Sequence, residues 1–122
     1  MIEILKALKN EFKRLKIPYS YDTWNKDVEL PYFVGELDEI ATINEDGKRE
    51  FTFTLTGEDM DTYSNLYKYT ETLKQEYKQS KTITLTNGVA KLMYNRTFNV
   101  PIDHERVKRT QTEFTLYVWE TE

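Results

Sequence analysis

The chain has no cysteine, and its 122 residues include only four glycines, three prolines and one histidine. Without cysteine there is neither a disulfide framework nor a thiolate metal site, which is compatible with a reducing compartment. So few glycines and prolines argue against low complexity or disorder. The single imidazole, His104, leaves most nucleophilic chemistry without its usual base. Phosphate-cradling loops of the GxxxxGK[ST] or GxGxxG kind are absent as well. Long apolar runs are missing: no stretch approaches the roughly 20 residues that span a bilayer. The opening "MIEILKALKNEFKRLK" alternates charged with apolar groups, unlike a secretory signal. The expectation is a protein that stays in the cytoplasm after synthesis, where the sequon Asn95-Arg96-Thr97 has no meaning.

What is present suits one globular core. Hydrophobic residues make up 39% and charged residues 31% of the chain, and a domain of this length buries about two-thirds of its unfolded surface. The net charge is −4, with acids and bases interspersed. There is thus no whole-protein field to attract nucleic acid or an anionic membrane, and the expected partners are proteins.

Periodicity assigns the elements. Ile2, Leu5, Leu8, Phe12 and Leu15 recur at steps of three and four, predicting an amphipathic helix that Pro18 ends. Its lysines, Lys6, Lys9, Lys13 and Lys16 with Arg14, read as a solvated face rather than a nucleic-acid stripe. A second helix is marked by Tyr63, Leu66, Thr70, Leu73 and Tyr77. Glu58, Asp59 and Asp61 precede it and Lys74, Lys78 and Lys81 follow, an order that complements a helix dipole. Between the helices the period becomes two. Phe51, Phe53 and Leu55 alternate with Thr52, Thr54 and Thr56, as in a strand with one wet face. "PYFVGELDEIATI" predicts a longer strand before it, with Gly35 at a bulge or close backbone approach and Asp46-Gly47 in the following hairpin. "KTITLTNGVAKLMYNRTF" predicts two strands around Asn87-Gly88, and "TEFTLYVWE" a last strand after a charged connection that begins at Pro101. The sum is one α+β domain over residues 1–122, a mainly antiparallel sheet of about five strands with two helices packed on one face.

Two features remain unabsorbed. The stretch "IPYSYDTWNKDVELPYFVGE" carries Tyr19, Tyr21, Trp24, Tyr32 and Phe33 on an arm stiffened by Pro18 and Pro31. It either buries itself on its own core or offers rings to a partner. In the last strand Tyr117 and Trp119 oppose Phe114, Leu116 and Val118, so that both faces are aromatic or apolar. That marks a second packed layer or a contact surface. Catalytic or metal-binding constellations are weaker: "DHE" at 103–105 lacks further ligands, and adjacent Asp38 and Glu39 are an ordinary surface pair. The residues predict no cofactor and no enzyme.

The element order, with "EILKALKNEF" opening the first helix, "ELPYFVGELDE" opening the first long strand and "RTQTEFTLYVWE" closing the chain, resembles the tail-terminator or tail-completion proteins of long-tailed bacteriophages. The resemblance runs over essentially the whole chain, carried chiefly by Leu30-Pro31-Tyr32, the aromatic last strand and its preceding "DHERVKRTQ". It implies a virion structural protein of the head–tail joint, assembled in the host cytoplasm as a ring, typically hexameric. Such a ring stops the tail tube, meets the tail tube protein on one face and the head connector protein on the other, and lets DNA pass unread through its lumen. Under it, Tyr19, Tyr21, Trp24, Tyr32, Phe33, Tyr117 and Trp119 are candidate subunit contacts. A head-completion or connector-stopper protein, a nucleic-acid-binding module using the basic first helix, and a small enzyme with a pocket beside His104 are the alternatives.

Overall fold

The structure, a computed structural model, describes residues 2–22, 29–40 and 47–120. Its elements are α1 (Ile2–Arg14), β1 (Tyr19–Tyr21), β2 (Tyr32–Ile40), β3 (Lys48–Met60), α2 (Ser64–Tyr77), β4 (Lys81–Leu85), β5 (Gly88–Val100) and β6 (Val107–Glu120). The strands form one curled sheet in the order β1-β2-β3-β6-β5-β4. Two expectations are corrected. The sheet has six strands, and it is mixed, because β1 pairs parallel to β2 through Tyr19↔Phe33, Ser20↔Val34 and Tyr21↔Gly35. The last strand lies in the middle of the sheet, between β3 and β5.

Alternation along β3 and β6 builds the core. Phe51, Phe53 and Leu55 meet Leu116, Phe114 and Thr112 in register, and all six are buried. From the helices, Ile4, Leu8 and Phe12 of α1 and Leu66, Leu73 and Tyr77 of α2 join the same cluster. Burying each such side chain contributes about 1.5–3 kcal/mol. In α1 the buried position is Ile4, while Leu5 is half-buried. The helix also ends before Pro18 acts. Lys16 turns to φ 60, the Lys16 N–H donates to the Lys13 carbonyl and the Ile17 N–H to that of Phe12, a left-handed cap with Ile17 folded onto the core.

Of the acids expected to start α2, two are engaged elsewhere and one holds a side chain of its first turn. Glu58 pairs with Arg109, Asp61 with Arg106 at 3.0 Å, and Asp59 accepts from Asn65 at 3.2 Å. The start is held instead by the Thr62 hydroxyl, which accepts the Ser64 N–H at 3.2 Å. Helix α1 then spans the sheet's two outermost strands. Phe12 packs edge-on against Tyr19 of β1 at 4.8 Å, while Lys81 of β4 pairs with Glu11 at 3.0 Å and Glu3 accepts the Thr86 N–H. Both sheet edges are thereby turned toward one helix, which shields them.

The turn signals are partly borne out. Gly47 has φ +80 before β3; Asp46 is outside the described residues. In the β4–β5 hairpin the turn residues are Thr86 and Asn87, and Gly88 is the first residue of β5, paired with Leu85. Glycine is required there because a Cβ would fall 1.9 Å from the Trp119 carbonyl oxygen. The connection after β5 does begin at Pro101, but it ends at Arg106, where β6 already starts with Val107. A register shift between Tyr94 and Arg96 makes Asn95 an extra residue in β5, and its side chain donates to Thr115 at 2.8 Å.

Candidate assembly interface

The aromatic arm divides between core and surface. Phe33 is fully buried, with Tyr69 edge-on at 5.7 Å, so it serves the chain's own core and presents nothing to a partner. Tyr19 likewise packs on Phe12 and Phe53, and its buried hydroxyl has no hydrogen-bond partner among the described residues. Burial, and then the neighbouring Tyr21, push that phenol well above its ordinary range. Tyr21 does a local job where β1 stops short: its hydroxyl accepts the Leu37 N–H at 3.3 Å, satisfying a strand edge left open. Tyr32 stays half-buried. With Leu5, Lys6, Lys9 and Tyr21 it lines a groove of about 500 Å³ between α1 and β1. Trp24 lies outside the described residues.

Tyr117 and Trp119 belong to the other face. Their neighbours Phe114, Leu116 and Val118 point into the core, which puts both rings on the side of the sheet away from the helices. They lie 6.0 Å apart, tilted by 47°. The register supplies their surroundings. On β3, Lys48 opposes Trp119 and Glu50 opposes Tyr117; on β5, Val89 opposes Trp119 and Lys91 opposes Tyr117. The Lys48 ammonium sits 4.7 Å from the centroid of Tyr117, an attraction of about 0.5–1 kcal/mol at an exposed site. Partial burial, with Glu50 beside it, raises the Tyr117 phenol above its ordinary value. Lys48, Lys91, Met93, Tyr117, Trp119 and Ser80 enclose a shallow depression of about 290 Å³. The sequence flagged its two rings but not its lysines, which reach them only through cross-strand pairing.

Farther along the same face, β2 carries Glu36, Asp38 and Ile40, all exposed, opposite Thr54, Thr52 and Glu50 of β3. Glu39, on the opposite side of the strand, is held by Arg49 at 2.8 Å. That pairing draws its carboxyl below the ordinary range.

Elsewhere, the cavity beside His104 measures about 410 Å³ and is formed mainly by the β5–β6 connection with Tyr63 and Lys108. His104 is exposed, and its Nδ1 accepts the Arg106 N–H at 3.3 Å. Among the described residues no cluster of three or more His, Asp or Glu side chains is placed to hold a metal ion, and no helix is long and apolar enough to cross a membrane. Compared with known proteins, the sequence matches no family model and no curated protein.

Proposed function

We propose that the chain is a structural assembly protein of the head–tail joint of a long-tailed bacteriophage, a tail terminator that closes into a ring, caps the tail tube and docks the head connector. The observation that carries this reading is the pair Tyr117 and Trp119 on the side of the central strand facing away from the core, backed by Lys48 and Lys91. That side of a strand ordinarily carries short polar or charged groups, and β3 shows it with Thr52, Thr54 and Thr56. Amphipathic rings placed there provide large contact area at little entropic cost, as interface anchors do. The element order and the family resemblance support the head–tail joint as its place; the surface supports self-association. Identical subunits then close through one heterologous contact. The net charge of −4 suits a lumen through which DNA slides without being held.

Co-sedimentation tests the role. A terminator pellets with purified tail tubes and not with DNA-filled heads; binding to heads alone assigns the protein to the connector side, and binding to neither overturns the reading.

One observation favours a nucleic-acid-binding module instead. Lys6, Lys9 and Lys13 are exposed along one side of α1, and the first two border the tyrosine-lined groove. A DNA affinity that falls steeply with added salt would favour that reading.

A further inference from the structure

Within the ring reading, on which this inference rests, the outer face of the sheet carries two dissimilar patches that complement each other. One is the depression of Tyr117, Trp119 and Met93 with Lys91, extended by the exposed Val89. The other is the end of β2, with Glu36, Asp38 and Ile40. Ile40 and Val89 are two of the three large hydrophobic side chains left exposed in the described chain, and one stands in each patch. The charges also sort by patch. Lys91 has no ion-pair partner among the described residues, and neither have Glu36 or Asp38, whereas the nearby Glu39, Arg96 and Glu113 are already paired within the chain.

We infer that the β2 patch of one copy docks on the β5–β6 patch of the next. Ile40 then covers the apolar rim at Val89 and Trp119, and Glu36 and Asp38 approach Lys91. The placement of the patches selects this arrangement over a two-fold dimer. The β2 patch and the β5–β6 patch have β3 between them, on the outer side of a curled sheet whose margins both turn toward α1. Their outward directions therefore diverge around the subunit. A contact between two different, divergent patches propagates head to tail and closes when the rotation per subunit divides the circle. A two-fold contact of either patch with itself brings like charges together, and a reciprocal two-fold exchange of the two patches requires both to face the same way.

The absence of native cysteine makes covalent capture the direct test. In the double variant Asp38→Cys/Lys91→Cys the two sites of one chain are three strand spacings apart and two residues out of row, about 16 Å, too far to join to each other. Under mild oxidation at concentrations where the wild type is oligomeric, the double variant is expected to give a ladder of disulfide-linked species ending at a discrete band, whereas each single variant gives none. A second arm uses charge. Lys91→Glu should lower the assembled fraction at least tenfold, and mixing it with Asp38→Lys should restore assembly. A wild type that forms rings while the double variant stays monomeric on the gel overturns this interface and leaves the ring reading standing. A wild type that never self-associates, with or without tail tubes, overturns both.

Discussion

The ring of Phe33 lies over Gly57, its antiparallel partner across β2 and β3. A Cβ at that glycine would stand 2.3 Å from Cε2 of the ring. The same stacking recurs one pair of residues along, where a Cβ on Gly35 would meet the Phe53 ring at 2.5 Å and Tyr19 at 2.8 Å. Two glycines thus make room for the arm's aromatics inside the core. Gly57→Ala is expected to destabilise the protein by about 2 kcal/mol through overpacking, and Phe33→Leu in that background should recover part of the loss. Urea unfolding measures both; an unchanged midpoint for Gly57→Ala would show that Phe33 is free to move aside.

The end of α1 supports a prediction of opposite sign. Lys16 occupies a left-handed position with φ 60 where glycine has no steric penalty. Lys16→Gly should stabilise the fold by about 1 kcal/mol, seen as a rise in denaturation midpoint, whereas Lys16→Val should lower it.

Glu11 links the two helices and β4. Its carboxylate accepts the Tyr77 hydroxyl at 2.7 Å and pairs with Arg14 at 3.3 Å and Lys81 at 3.0 Å. Burial pushes this carboxyl up, but the bonds from Tyr77, Arg14 and Lys81 outweigh it and hold it below its ordinary value of 4.5. A carboxylate depressed in the folded state contributes stability above the unfolded value, and that contribution is lost as pH falls through the folded one. Glu11→Gln keeps an acceptor for Tyr77 and removes the charge, so it should cost about 1 kcal/mol at pH 7. Thermal unfolding at pH 7 and pH 3 should show the gap to wild type narrowing in acid; a constant gap contradicts the electrostatic account.

Under the proposed assembly role, β6 carries a core face and a contact face along a single strand. Phe114 faces the core with 0% exposure, and Phe114→Ala is expected to cost about 3–5 kcal/mol. Trp119→Ala, on the outer face, should change stability by about 1 kcal/mol or less while abolishing oligomer formation. A Trp119→Ala protein that unfolds like the Phe114 variant would place this ring in the fold's own support.

Much of this was legible in the residues. The strict alternation of Phe51, Phe53 and Leu55, the spacing of Leu66, Thr70, Leu73 and Tyr77, and the glycine at 47 that takes φ +80 are local patterns, and local patterns survive folding. The errors came from long-range pairing. β1 is three residues long, too short for periodicity, and its parallel match with β2 is a pairing that no local pattern encodes. Phe33 alternates with Gly35 and Leu37 on one side of β2, a signal of an inward face, yet Pro31 and the surrounding rings left open an arm that offers them to a partner. The neighbours of Tyr117 and Trp119 were hidden because nothing local places the last strand between β3 and β5.

The solution mass of the purified protein, measured by light scattering across a concentration series at low and moderate salt, tests the central claim most directly. The account predicts a discrete ring-sized species, or a monomer that becomes one when tail tubes are added, and the loss of that species in Trp119→Ala. A strict monomer at every concentration that ignores tail tubes would contradict it.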